Sequence, residues 1–300
     1  MHEKEILGIE SEILRFGVDY FQDKGFTQLL PVMLSPITDP LGPDPNSSVI
    51  KTGEIEYCGQ KLQLMQSMIL HKQIAISKGL DKIFILSPNI RLEHPKRMKS
   101  GKHLFEFTQL DFEIKDAKMT DVFELMEEYY SKLFIHLKKT KSKELKILKR
   151  VLPEMKLPFP KLHTRELIEK FGEYWELKAS KYYKIPFWAI SHKREFYDKS
   201  DPKKSGEYFN YDLVYPEGFG EALSGGERDH EYKILMKKIK DHKLDQKKYE
   251  YYIKLAKAGK LKPTAGAGFG IERLTRFVCG LKHVGEVQLF KRIPGKRVEV

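Results

Sequence analysis

The chain has only two cysteines, Cys58 and Cys279. That is too few for a disulfide framework or a cysteine-based zinc site, and it fits a reducing compartment. No run of about 18 apolar residues occurs, so nothing reads as a membrane span. The start, Met1-His2-Glu3-Lys4-Glu5, has no basic region leading into an apolar stretch. No signal peptide is therefore expected, and a cytoplasmic location is. The phosphate-binding pattern G-x-x-x-x-G-K-[ST] is absent, as are a nucleophile elbow and a metalloprotease helix. Neither an internal repeat nor a low-complexity tract is present.

What remains is ordinary globular material with a basic bias. Of 300 residues, 41% are apolar, 12% aromatic and 32% charged. At about 150 residues per domain, this allows two domains or one large one with a sizeable core. Lys and Arg number 54 against 42 Asp and Glu, a net +12. The partner class is expected to be anionic: a nucleotide, a nucleic acid or an acidic metabolite.

Residues 3–24 predict an amphipathic helix with Ile6, Ile9, Ile13, Leu14 and Phe21 on one stripe, ended by Gly25. A short strand is expected from Leu29 to Leu34. Residues 35–48 carry Pro36, Pro40, Pro43 and Pro45 and read as a loop long enough to be functional. A helix over 64–79, a buried strand from Ile83 to Leu86, a basic turn over 94–103, a strand from Phe105 to Ile114 and a helix over 118–139 follow. Residues 138–150 hold seven Lys or Arg, either a solvated face or a nucleic-acid patch. Two strands flank a turn at Pro216–Phe219, residues 229–258 look helical, and Gly266–Gly270 opens a last helix. Strands grouped with hairpins, then helices, favour an antiparallel α+β sheet.

Several residues look out of place. The strand 105–114 puts Phe107, Gln109, Asp111 and Glu113 on one face, which lines a pocket or is half solvated. Lys72 shares an apolar stripe with Ile69 and Ile76, so it snorkels or meets a buried anion. Arg273 sits in the first turn of a helix, where a cation is disfavoured unless an anion binds there. Across the 216–219 turn, Val214 would oppose Glu221 and place Asp212 diagonally beside it. Two such acids repel unless a cation bridges them. Gly266-Ala267-Gly268-Phe269-Gly270 lacks the spacing of a dinucleotide fingerprint and follows a poor strand, so it reads as a loop. Together these features suit a Mg-nucleotide and a small acidic substrate.

Ile90-Arg91-Leu92-Glu93 with Glu106-Phe107-Thr108-Gln109-Leu110-Asp111-Phe112-Glu113 resembles motif 2 of the class II aminoacyl-tRNA synthetases. Gly268-Phe269-Gly270-Ile271-Glu272-Arg273 resembles their motif 3, and Gly25-Phe26 to Pro31 a blurred motif 1. Gln66-Ser67-Met68-Ile69-Leu70-His71-Lys72-Gln73 and Ser224-Gly225-Gly226-Glu227-Arg228 are similar to the aspartyl signatures Q-S-P-Q-L-x-K-Q and S-G-G-x-R. Leu157-Pro158-Phe159-Pro160 and Glu286 to Arg292 are similar to archaeal-type members. More narrowly, the chain resembles archaeal asparagine synthetases related to aspartyl- and asparaginyl-tRNA synthetase cores.

The resemblance implies an α+β fold: an antiparallel sheet flanked by helices, and a homodimer formed through motif 1. It also implies bound ATP and Mg2+. Arg91 and Arg273 would be catalytic. Arg91, Glu93, His103, Phe107, Glu221 and Arg273 would bind ATP, and Asp212 and Glu221 the metal. Gln66, Ser67, Lys72, Gln109, Asp111 and Arg228 would bind the amino acid, with Lys72 and Arg228 clamping a carboxylate. Departures shape the expected function. Fewer than about 30 residues precede motif 1 and they read as a helix, so residues 1–300 are expected to be one catalytic domain without an N-terminal anticodon-binding barrel. Where T-E-G-G is usual, the loop reads Thr38-Asp39-Pro40-Leu41, with Asp44 further on.

The expected reaction is therefore aspartate + ATP + ammonia giving asparagine + AMP + diphosphate through an aspartyl-adenylate, a ligase reaction. Ammonia would come from solution, since residue 2 is His rather than a glutaminase Cys. Aspartate would bind reversed, its ammonium near Asp111, Asp39 or Asp44, and tRNA is not expected as a partner. The alternatives are a truncated synthetase acting on tRNA or a protein, and a non-catalytic binder of amino acid or nucleotide.

Overall fold

The computed structural model describes residues 2–41 and 49–299. Among the described residues thirteen strands run in chain order: β1 (Thr27–Leu29), β2 (Leu34–Ser35), β3 (Val49–Lys51), β4 (Glu54–Tyr57), β5 (Gln60–Leu64), β6 (Lys82–Ile90), β7 (Leu92–Glu93), β8 (Glu106–Lys115), β9 (Lys161–His163), β10 (Phe187–Ile190), β11 (Asn210–Tyr215), β12 (Gly220–Arg228) and β13 (Thr264–Gly270). The helices are α1 (Glu3–Asp23), α2 (Ile69–Ile76), α3 (Met119–Thr140), α4 (Ser142–Ile147), α5 (Thr164–Phe171), α6 (Trp175–Tyr182), α7 (Tyr232–Asp241), α8 (Glu250–Lys257) and α9 (Ile271–Cys279).

One eight-stranded sheet, ordered β1-β6-β8-β13-β12-β11-β10-β9, organises the molecule. Only its outermost pairs, β1 with β6 and β10 with β9, are parallel. This is the expected antiparallel α+β architecture. The alternation of β8 sends Leu110 and Phe112 into the main core, where Ile9, Ile13 and Phe21 of α1, Tyr129 and Leu133 of α3 and Leu274 and Phe277 of α9 meet them. Burying one large apolar side chain contributes about 1.5–3 kcal/mol, so this layer anchors the sheet. Gln109, Asp111 and Glu113 point to the opposite face. A second cluster, joining Ile69 and Leu70 of α2 to Phe196, Leu235 of α7 and Tyr252 of α8, covers part of that face. The open remainder of the face holds the site.

Several elements differ from expectation. The apolar run from Leu29 to Leu34 splits into β1 and β2 around Pro31, which can donate no ladder hydrogen bond. The helix expected over 64–79 starts only at Ile69, because Gln60–Leu64 pairs with Glu54–Tyr57 in a hairpin. The helical stretch 229–258 breaks into α7 and α8. The stretch read as a loop at 266–270 lies within β13, in the middle of the sheet. Its glycines are required by close approach. A Cβ on Gly266 would lie 2.2 Å from Phe112 O and 2.2 Å from Glu113 Oε2, and one on Gly268 would lie 2.4 Å from Asp111 Oδ1. A strand built of such residues is weak by propensity and exists because its neighbours are bulky and charged. Of loop 35–48, residues 42–48, including Asp44, lie outside the described residues.

Candidate active site

Two adjoining cavities open on the functional face. The first is lined by Arg91, Glu93, Lys102, His103, Phe107, Glu221 and Arg273, among others. Arg91 lies between β6 and β7, where its Nε donates to Gln66 O at 3.0 Å. Its guanidinium sits 5.2 Å from the centroid of Phe107, a cation–π contact that fixes both side chains. Arg273 stands in the first turn of α9, and its Nη1 lies 3.0 Å from Glu221 Oε1. Its Nε donates to Lys102 O at 3.1 Å. Burial alone would raise the Glu221 carboxyl, but Arg273, Lys102, Arg194 and Arg91 outweigh burial and bring it down to about 2. His103 falls to about 2 as well, through burial first and then the charges of Arg273, Lys102 and Arg97, so it is a neutral imidazole. Glu93 Oε2 is buried and accepts no hydrogen bond. An orphaned acceptor, an aromatic plate and several cations in one cleft suit a nucleotide: N–H groups for Glu93, a base for Phe107, phosphates for the arginines. All six residues expected to bind ATP line this cavity.

The second cavity, of about 210 Å3, is roomy enough for a small amino acid and is lined by Ser67, Lys72, Gln109, Asp111 and Arg228. Gln66, also expected here, does not line it: its carbonyl serves Arg91 and its Nε2 donates to Thr52 Oγ1 at 3.2 Å. Arg91, Gln109, Glu221 and Gly268 line both cavities, so the two form one continuous cleft.

The proposed carboxylate clamp is already occupied by protein acids. Lys72 Nζ donates to Asp111 Oδ1 at 3.1 Å and lies 3.5 Å from Glu113 Oε2. Arg228 lies 3.2 Å from Glu113 Oε1 and 3.0 Å from Asp198 Oδ1. Burial opposes the Arg228 charge, yet Glu113 and Asp198 hold its pKa above the ordinary arginine value.

A bulge shifts the register between the two acids expected to share a metal. Val214 does pair with Glu221, but a bulge beyond it pairs Leu213 with Leu223 and Asp212 with Ser224. Asp212 accepts from Arg194 Nη1 at 2.8 Å and lies 3.4 Å from His192 Nε2. Each acid has its own arginine, so no bridging cation is required, and Asp212 lines neither cavity. Among the described residues no group of three or more His, Cys, Asp or Glu could hold a metal alone.

Sequence reasoning missed Arg194, Glu195, Tyr197 and Asp198, which line the amino-acid cavity. They follow one another in an irregular segment with no periodicity, and their only signal was three charges interleaved with two buried aromatics. Asp39, a residue of the rebuilt loop, also lines the cavity; Tyr197 OH donates to its Oδ2 at 2.7 Å.

Residues 2–294 match the family profile of tRNA synthetases class II (D, K and N). The chain belongs to this family. The asparagine–tRNA ligase of Pelotomaculum thermopropionicum is 29% identical over 312 residues, an alignment covering 97% of this chain and 69% of that protein. The asparaginyl-tRNA synthetase of Pyrococcus horikoshii, solved with asparaginyl-adenylate, superposes with a TM-score of 0.88 at 24% identity, over 99% of this chain and 70% of that one. The Entamoeba histolytica asparaginyl-tRNA synthetase, also solved with asparaginyl-adenylate, gives 0.85 at 22% identity, over 97% and 67%.

These relatives overturn two expectations. Ammonia-dependent synthesis of asparagine from aspartate, and the exclusion of tRNA as a partner, both give way to likeness with asparagine–tRNA ligases. The expected reaction leaned on the lack of a preceding barrel and on the altered loop at 38–41; the fold adds that the Lys72 and Arg228 clamp is met by buried acids of the chain itself. Class II synthetases use ATP and Mg2+. The nucleotide cleft fits ATP as described, and Glu221, ionised and lining both cavities, is the carboxylate that fits Mg2+ beside its phosphates. Among the described residues no helix is long and apolar enough to cross a membrane.

Proposed function

We propose that this chain activates asparagine with ATP and transfers the asparaginyl group to tRNA. The observation that carries the reading is the continuous cleft, in which Arg91 and Glu221 border both the nucleotide and the amino-acid cavity. An amino-acid carboxylate oxygen there attacks the α-phosphorus of ATP, the bond to diphosphate breaks, and an acyl-adenylate forms. A tRNA ribose hydroxyl then attacks the acyl carbon and AMP leaves. Arg91 faces the developing charge at phosphorus from the amino-acid side and Arg273 from α9. A preorganised contact of this kind is worth about 3–4 kcal/mol. Neutral His103 donates or accepts without adding charge. Mg2+, held by Glu221, would neutralise phosphate charge. The net +12 of the chain supports an anionic nucleic-acid substrate.

We propose also that two copies pair through the motif 1 side. Leu30 is 89% exposed, and Met33, Ile50 and Ile55 are exposed on the nearby strands and turns. Such apolar surface supports a protein interface.

The test is asparagine-dependent exchange of diphosphate into ATP, followed by acid-gel detection of asparaginyl-tRNA. Exchange with asparagine and tRNA charging are expected. Absence of both, or exchange with neither asparagine nor aspartate, refutes the reading.

A further inference from the structure

The amino-acid cavity carries a chain of alternating charges deeper than its lining. Lys72 has three N–H groups, and they meet Asp111 Oδ1 at 3.1 Å, Phe112 O at 3.1 Å and Ala267 O at 3.3 Å. Arg228 Nε donates to Glu113 Oε1, Nη1 to Asp198 Oδ1 and Nη2 to Gly266 O, at 3.2, 3.0 and 3.1 Å. Its other two N–H groups have no hydrogen-bond partner among the described residues. Two cations are thus matched by three buried carboxylates, Asp111, Glu113 and Asp198. Asp198 is 1% exposed, and its other oxygen accepts from Asn210 Nδ2 at 2.7 Å and lies 3.8 Å from Arg194 Nε.

Glu113 lies behind the cavity, bonded also to Thr264 Oγ1, and Asp111 belongs to the strand face. Asp198 differs from both: it comes from the irregular 191–200 segment and reaches Arg228 from the other side. The lining leaves one acceptor, Asp111 Oδ2, and one donor, Arg194 Nε, without a hydrogen bond, which suits a neutral group that both donates and accepts. Asp111 Oδ2 is buried, lines the cavity through its residue and accepts no hydrogen bond. Asp39 and Glu195 add two more carboxyl groups to the lining. A ligand bringing N–H groups and a carbonyl oxygen satisfies such walls. A ligand bringing a further carboxylate is desolvated into a space whose cations are already balanced.

We propose that Asp198 is a positioning residue that sets the substrate class: by balancing Arg228, it makes the cavity select the neutral side-chain amide of asparagine over the side-chain carboxylate of aspartate. This rests on the asparagine-activating reading above and assigns its selectivity to one residue. Arg228 then offers its two remaining N–H groups to the amide oxygen without attracting an anion. Loss of the Asp198 charge turns three carboxylates against two cations into two against two, and so removes repulsion that a substrate carboxylate would meet.

The test is calorimetric binding of asparagine and of aspartate to the full chain with a non-hydrolysable ATP analogue. The unsubstituted protein is expected to favour asparagine by about 10- to 100-fold. Asp198→Asn, nearly isosteric, should shrink that ratio by roughly tenfold or more, and Asp198→Glu should restore much of it. The ratio is insensitive to the fraction of folded protein. Parallel weakening of both ligands, an unchanged ratio, or a preference of the unsubstituted protein for aspartate would each overturn the proposal. If Asp198→Asn does not fold, the unsubstituted protein and Asp198→Glu decide it: both must favour asparagine. A protein with this selectivity that charges no tRNA refutes the proposed function and leaves the role of Asp198 standing.

Discussion

Glycine substitutions along β13 test how closely its neighbours press upon it. At Gly266 an added methyl would lie 2.2 Å from Phe112 O and 2.2 Å from Glu113 Oε2. The first is backbone of the paired strand and cannot swing aside. The second belongs to a carboxylate already bonded to Arg228 and Thr264. Relief requires moving β8 or breaking that buried network. Overpacking costs about 1–3 kcal/mol, and disturbing a buried ion pair brings the total to roughly 3–5 kcal/mol. For a chain of this size Gly266→Ala should lower Tm by roughly 5–10 °C. Gly270→Ala is the internal control. There the nearest atoms are Arg273 Cβ and Cγ, both at 3.7 Å, ordinary contact, and Gly270 has φ −74°. Its effect on Tm should stay within about 1–2 °C. Gly268→Ala lies between, because Asp111 Oδ1 at 2.4 Å is the end of a side chain that can rotate, at the expense of its bond to Lys72. The assay is thermal unfolding followed by circular dichroism for all three variants under one condition. Equal Tm values for Gly266→Ala and Gly270→Ala would refute the reasoning.

Lys72→Met leaves Asp111 and Glu113 without their shared cation in the interior, so unfolding free energy from urea titration should fall by about 3–5 kcal/mol; a loss below about 1 kcal/mol would mean the pair is not structural. Arg91→Ala should reduce kcat for diphosphate exchange by about 10²–10³-fold with little change in Tm, as steady-state kinetics beside a melting curve would show. Glu272 is raised from 4.5 to about 8, chiefly by burial, so the folded state holds a proton that the unfolded chain releases. Its contribution to stability is complete below pH 4.5 and is lost as pH rises towards 8; Tm measured across that window should fall, and less steeply in Glu272→Gln. Leu30→Asp should convert a dimer to a monomer in light scattering without altering the circular dichroism spectrum.

Much of the site was legible because period and position conflict with residue type. The alternation of β8 exposed Phe107, Gln109 and Asp111 as one face, and a cation at the start of α9 marked Arg273. Those arguments need only local geometry. The segment from Arg194 to Asp198 offered no such conflict, since it belongs to no helix or strand. Its charges acquire meaning only when the fold brings Asp198 to Arg228 and Arg194 to Asp212. β13 was hidden for a different reason: glycine reads as a turn signal, and the crowding that demands it comes from β8, some 150 residues away in sequence. Asp111 and Glu113 were visible as one strand face and Lys72 as a candidate for a buried anion, but that these acids and Asp198 meet Lys72 and Arg228 is recognisable only in space.

The charges around the amino-acid cavity also constrain how such a chain can change over time. Lys72, Glu113, Arg228, Asp198, Arg194 and Asp212 form an unbroken series of oppositely charged contacts reaching from α2 through β8 and β12 to β11. Exchanging one member for a neutral residue takes one of its two oppositely charged neighbours from each residue beside it and leaves the series with a net charge. Replacing two adjacent members together, such as Asp198 with Arg228, removes one charge of each sign and leaves the remainder balanced. Viable sequence drift through this region is therefore expected to proceed in pairs, and substrate preference is expected to shift in the same discrete steps.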